Sequence, residues 1–145
     1  MIVGEAPGFT EVAEGRPFVG KSGKLLDNAL TILGLRREHI YVTNVVKDMP
    51  LNSEGKIRRP LPAEINGWAT LLAIEISEIK PVAILALGRT AVDHLMGFDA
   101  PFGEKIGTIY SAWHPSYVLR GMDLDHGLYV EWIDQLRPWA EEVGA

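Results

Sequence analysis

Three short segments of this chain carry polar side chains in turns that can approach a ligand closely. Gly4-Glu5-Ala6-Pro7-Gly8 holds a carboxylate in a turn rich in glycine and proline. Asn44 follows a β-branched and aromatic run, and His114-Pro115-Ser116 sets an imidazole and a hydroxyl in a rigid turn. The Asn44 amide offers both a donor and an acceptor, so it can separate ligands that present opposite hydrogen-bond patterns. Each segment alone also has an ordinary explanation: a plain loop, an asparagine capping a turn, a surface or hydrogen-bonded histidine. Other chemistries are closed. With no cysteine there is no thiol nucleophile, disulfide or thiolate-held cluster, and the four histidines have no metal-ligand spacing, so neither a metal nor another cofactor is expected.

Residues so far apart in sequence meet only if the fold carries them to one place. Met1-Ile2-Val3 reads as a buried strand ending at the glycine turn, with residues 9–21 as a long loop. Apolar positions at helical spacing predict a helix from about Ser22 to Leu33, stopped by Gly34. Ile40-Tyr41-Val42-Thr43 predicts a second strand that delivers Asn44 at its carboxyl end, and residues 47–61 read as another long loop. A helix is expected from Pro62 through about Ile79, a core strand over residues 81–88, and a short helix from Thr90 to Met96. Residues 103–112 suggest a weak hairpin, Trp113 to Ser116 a turn, and Gly127 to Glu142 a closing helix. Strands alternating with helices imply an α/β fold, a three-layer αβα sandwich around a mainly parallel sheet, with ligands bound at the carboxyl ends of the strands. Glu5, Asn44 and His114 all fall at such ends.

The length of 145 residues suits a single domain over residues 1–145, and 47% hydrophobic with 23% charged residues is globular composition. No apolar run is long enough to span a bilayer, so no membrane partner is expected. The amino terminus shows neither a basic leader nor a cleavage site, which points to the cytoplasm. A formal charge of −5 argues against a protein that coats nucleic acid, yet leaves room for a local basic rim.

Gly4-Glu5-Ala6-Pro7-Gly8, with Gly15-Arg16-Pro17-Phe18-Val19-Gly20, Gly23 and Leu25-Leu26, resembles the first motif of family-4 uracil-DNA glycosylases. Thr43-Asn44-Val45-Val46-Lys47 is similar to the end of that family's second strand, Leu85-Ala86-Leu87-Gly88 to its central strand, and His114-Pro115-Ser116 to its last motif. The order is the same and the resemblance covers nearly the whole chain. It departs at the family's four cluster-ligating cysteines: two precede the first strand, one follows the second-strand motif, where Asp48 stands here, and one lies in the next helix, where Trp68 stands. A cluster is therefore not expected, and residues 47–61 need another anchor, for which the Trp68 indole is a candidate.

The resemblance implies that uracil in DNA is flipped from the stack and its N-glycosidic bond hydrolysed, leaving an abasic site, by a protein acting as a monomer. Loss of uracil as an anion needs donors at its oxygens in a dry pocket, with an aromatic platform and a reader of the base edge. Phe18 suits the platform, although a core role is equally consistent. Asn44 suits the reader, donating to O4 and accepting from N3–H, while cytosine presents the opposite pattern. By resemblance His114 sits near O2 as a neutral donor or a cation. Glu5 orients the attacking water or stabilises positive charge on the sugar, Ala6 lines the base, and Glu11 lies near the C5 edge, where bulk excludes the thymine methyl. Ser116 and the backbone near Gly8 are expected to hold phosphates, with Tyr117 and Leu119 in the segment that fills the gap left by the base. Lys21, Arg58, Arg59 and Arg120 are the expected basic rim, although the run from Lys56 to Arg59 also reads as a solvated loop.

Three other readings stand beside this one. A weak or inactive DNA-binding module of the same fold, or an unrelated nucleotide-processing enzyme, would give no abasic product. Covalent capture of DNA through a histidine in the loop after the second strand is not expected, because no histidine occurs between His39 and His94.

Overall fold

The computed structural model describes residues 1–144. Five strands form one sheet: β1 (Ile2–Gly4), β2 (Val42–Asn44), β3 (Ile84–Leu87), β4 (Lys105–Ile106) and β5 (Ile109–Ala112), in the order β2-β1-β3-β5-β4. All pairings are parallel except the β4–β5 hairpin. Period-two alternation divides the core. Ile2, Leu85 and Leu87 face one apolar cluster with Leu26, Leu30, Trp132, Leu136 and Trp139. Val3, Ile84 and Ala86 face the other, with Val45, Val46, Leu72 and Val92. The first cluster is covered by α2 (Lys21–Ile32), α5 (Pro115–Gly121) and α6 (His126–Gly144), the second by α3 (Pro62–Ile79) and α4 (Arg89–Met96). A sheet with both faces buried in this way is the expected three-layer α/β sandwich.

Four segments correct the sequence reading. Residues 9–21 are not wholly loop, because α1 (Phe9–Glu14) occupies the first half. Glu11, three residues beyond the Gly8 cap, accepts the Gly8 N–H at 3.1 Å, and Gly15 at φ 69° closes the helix by donating to the Glu11 carbonyl at 2.8 Å. The turn from Trp113 to Ser116 also opens directly into α5, with Pro115 at the first helical position, where its missing N–H costs nothing. Strand β3 starts at Ile84 rather than Pro81, since proline has no N–H to give a ladder. Before β2, a 3₁₀ turn at Arg37–His39 delays the strand to Val42.

Residues 47–61 are held by Arg58. Its backbone N–H donates to the Pro50 carbonyl at 3.0 Å, its Nε to the Leu51 carbonyl at 3.0 Å, and its Nη1 to Glu64 Oε1 at 2.6 Å on the first turn of α3. Pro50 and Pro60 are buried at the two ends of the loop. Trp68 is partly buried and packs against the cluster containing Val45 and Val46.

Candidate active site

The parallel register carries the three polar segments to one sheet edge. Gly4 pairs with Asn44 across β1 and β2, and Leu87 pairs with Ala112 across β3 and β5, so Glu5, Asn44, Gly88 and His114 leave the sheet on the same side. A narrow cavity there, with about 30 Å³ of free space, is lined by Ala6, Glu11, Phe18, Ser22, Asn44 and His114. Of the residues expected around the base, all four (Ala6, Glu11, Phe18 and Asn44) line it. Ser22 joins them without having been foreseen.

Asn44 is buried, and its Oδ1 has no hydrogen-bond partner. A buried carbonyl left unpaired is costly unless a ligand completes it. The residue is held through its backbone: Lys47 Nζ donates to the Asn44 carbonyl at 2.5 Å and to Thr43 Oγ1 at 2.8 Å, and is ion-paired with Glu75 at 2.5 Å. Burial opposes ionisation of Glu75, but hydrogen bonds from Lys47, Tyr41 and Thr43 outweigh it and lower its pKa.

His114 caps α5, its Nδ1 accepting the Ser116 N–H at 3.0 Å and lying 2.7 Å from the Ser116 hydroxyl. An Nδ1 that accepts a backbone N–H leaves the proton of the neutral ring on Nε2. Desolvation, then the positive charge of Arg120, lowers the His114 pKa to about 4, so the ring is neutral at pH 7. The Phe18 ring lies 5.6 Å from it, centroid to centroid. Gly88 makes room for this histidine: at φ 89°, a Cβ there would stand 2.9 Å from His114 Cβ.

Glu5 accepts from Thr90 Oγ1 at 2.5 Å, a contact from the first turn of α4 that fixes one carboxylate oxygen. Glu11 accepts from Gly8, Val19 and Gly20 at 3.1, 2.9 and 2.7 Å. Burial works against its charge, but those amides prevail and lower its pKa. Its carboxylate therefore ties the start of α1 to the start of α2.

A larger cleft of about 620 Å³ adjoins the cavity, its lining including Glu5, Arg58, Arg59, His114, Ser116, Tyr117 and Arg120. Arg59 and Arg120 are exposed, whereas Arg58 is committed to Glu64. Tyr117 is 47% exposed and packs on Trp113. Leu119 lies partly buried against the first core cluster, and the Ser116 hydroxyl is engaged by His114. Gly8 caps α1, and Lys21 is exposed at the start of α2; neither borders the narrow cavity. Thr90 and Arg37, which binds the Phe18 loop, were not foreseen, because their contacts form only across the fold.

The residues present do not fit a four-iron cluster. Asp48 is exposed, the Trp68 indole packs against apolar side chains, and no thiolate exists in the 145 residues.

A family model described as the uracil DNA glycosylase superfamily matches residues 1–137. The chain is 43% identical over 109 residues to the type-4 uracil-DNA glycosylase of Pyrobaculum aerophilum, an alignment covering 75% of this chain and 54% of that protein. It is 38% identical over 136 residues to the type-4 enzyme of Archaeoglobus fulgidus, covering 82% and 66%. A type-4 enzyme of Thermotoga maritima is 38% identical over 133 residues, covering 83% and 66%. The chain thus spans about half to two thirds of the length of these curated relatives.

Proposed function

Because the chain belongs to the uracil DNA glycosylase superfamily, we propose that it hydrolyses the N-glycosidic bond of uracil in DNA, releasing free uracil and an abasic site. The observation that carries this reading is the unpartnered, buried Asn44 Oδ1 in a cavity bounded by Phe18 and a neutral His114. Uracil N3–H completes that carbonyl while the amide NH₂ donates to O4. Cytosine leaves both groups unpaired, a mismatch that costs a buried site heavily.

The deoxynucleotide is flipped out of the stack and its base lies against Phe18. Because the cavity holds only about 30 Å³ of free space, lining side chains part as the base enters. As the glycosidic bond breaks, electron density moves into the base and His114 Nε2–H donates to O2. A neutral donor in a dry site stabilises such an anion without a proton transfer. Glu5, one oxygen fixed by Thr90, uses the other to orient water toward the sugar carbon. Glu11 presents its side chain beside Ala6 at the C5 edge, where it opposes the thymine methyl. The DNA backbone runs along the larger cleft past Arg59, Arg120 and Tyr117, with Gly8, Lys21, Ser116 and Leu119 completing the contact surface and Arg58 shaping its loop.

In this reading residues 1–145 form one domain acting as a monomer in the cytoplasm; among the described residues no helix is long and apolar enough to cross a membrane. The test is formation of abasic sites in an oligonucleotide carrying one uracil, single- and double-stranded. Release of free uracil is expected. Absence of product on uracil, hypoxanthine and xanthine substrates, with retained DNA binding, would replace the enzyme by a binding module.

A further inference from the structure

Phe18 is buried yet sits at φ 51°, a left-handed conformation that a bulky non-glycine residue rarely adopts. Its ring fills the space above Gly4, where a Cβ would stand 2.4 Å from Phe18 Cζ, and it faces His114 across the cavity. Its carbonyl presses on the start of α2, since a Cβ at Gly23 would lie 2.0 Å from Phe18 O. A strained residue at a site persists only when its surroundings hold it there.

The holder comes from another part of the fold. Arg37, in the 3₁₀ turn between α2 and β2, donates from Nη1 to the Phe18 carbonyl at 2.5 Å and from Nη2 to the adjacent Pro17 carbonyl. Nη1 also meets Asp27 Oδ1 on α2 at 2.9 Å. One planar guanidinium thus spans two successive carbonyls and a carboxylate, a geometry a lysine ammonium cannot reproduce. Arg37 does not line the cavity, so any effect it has on the base passes through Phe18.

We propose that Arg37 is a positioning residue that fixes the Phe18 ring as the wall against which the base stacks. This rests on the reading of the cavity as a base pocket. A platform displaced by an ångström weakens binding of the flipped base and leaves the departing anion misaligned with His114. Arg37→Met is expected to lower kcat/KM on uracil-containing DNA roughly 10- to 100-fold. It should also weaken inhibition by free uracil, which samples the pocket without DNA. Arg37→Lys should fall close to Arg37→Met. Arg36→Met, one residue away and exposed beside Glu38, should match the wild type.

The deciding experiment is a double-mutant cycle with Phe18→Ala. If Arg37 acts through the ring, Arg37→Met changes kcat/KM less than about twofold once the ring is gone; equal losses in both backgrounds overturn the proposal. Asp27→Asn, which loosens the guanidinium by removing its carboxylate partner but leaves Arg37 in place, serves as a milder second variant should Arg37→Met unfold, and its smaller loss must likewise disappear in the Phe18→Ala background. A readout independent of activity separates this inference from the functional one. The NMR coupling that reports φ at Phe18, together with the His114 ring shifts, should change in Arg37→Met and not in Arg36→Met. A wild type that releases no uracil would end the glycosylase reading, while unchanged Phe18 couplings would end this one.

Discussion

At the scale of single residues, the site is defined by what is left unpaired. The Asn44 Oδ1 is buried without a partner while its backbone is gripped by Lys47. Asn44→Asp keeps the size but loses the donor to O4 and adds a charge, so kcat/KM on uracil should fall by ~10²–10³-fold, as for loss of an oriented donor. Thermal stability at neutral pH should also fall, because the new carboxylate is buried where the side-chain oxygen has no donor; an Asn44→Asp enzyme with near wild-type rates would remove Asn44 as the reader. His114 yields a pH prediction. Its pKa is lowered to about 4, so the ring is already neutral from about pH 5 upward and no active imidazolium is lost as pH rises through 6.5. The kcat/KM profile should therefore show no alkaline decline with a midpoint between 6 and 7. Such a decline, absent from His114→Gln, would show that the cation is the active form. Asn44 and His114 each had an ordinary explanation alone; they were legible because the motifs around them come in the order of one family and each stands at or just past the end of a strand that leads to the same sheet edge. Thr90 and Arg37 were not: the Thr90 contact to Glu5 joins residues 85 apart, and nothing in the local sequence distinguishes it from an ordinary first-turn threonine.

At the scale of elements, the strand ends were readable and the two short helices beside the site were not. Gly8 and Gly15 read as loop punctuation, yet they bound α1, and the signal that could have found it is Glu11 three residues past Gly8. Likewise the Pro115 that suggested a turn is also a favoured first residue of a helix. Residue type alone does not separate these glycines; their surroundings do. At Gly15 a Cβ meets nothing within 4 Å, whereas at Gly23 it would collide with the Phe18 carbonyl at 2.0 Å. Gly23→Ala must push the Phe18 loop away from α2, and is expected to cost roughly 2–4 kcal/mol in chemical denaturation, in the range of a rigid overpacked contact. Gly15→Ala meets only the left-handed φ of 69° and should cost about 1 kcal/mol. Equal losses from the two substitutions would mean that the Gly23–Phe18 contact relaxes freely.

At the scale of the whole molecule, a protein of net charge −5 that is proposed to act on a polyanion must concentrate its cations. The larger cleft does this with arginines, but not all of them are available. Arg58 is paired with Glu64 at 2.6 Å and Arg89 with Asp93 at 3.0 Å, whereas Arg59 and Arg120 on the same cleft have no salt-bridge partner among the described residues. Release of counterions scales with the cations that actually meet phosphate, so a small free set means a shallow salt dependence. With Arg59, Arg120 and one or two lysines engaged, log K against log salt on single-stranded DNA should have a slope of about −1.5 to −3. Arg120→Ala should reduce its magnitude by about 0.7, and Arg59→Ala by the same amount, because each removes one phosphate contact. Arg58→Ala should act differently. Its guanidinium ties residues 51 and 64 together, so its loss should leave the slope nearly unchanged while the loop becomes more sensitive to limited proteolysis. A full unit of slope lost with Arg58, and none with Arg120, would mean that the loop, rather than the His114 helix, is the surface that meets the DNA backbone.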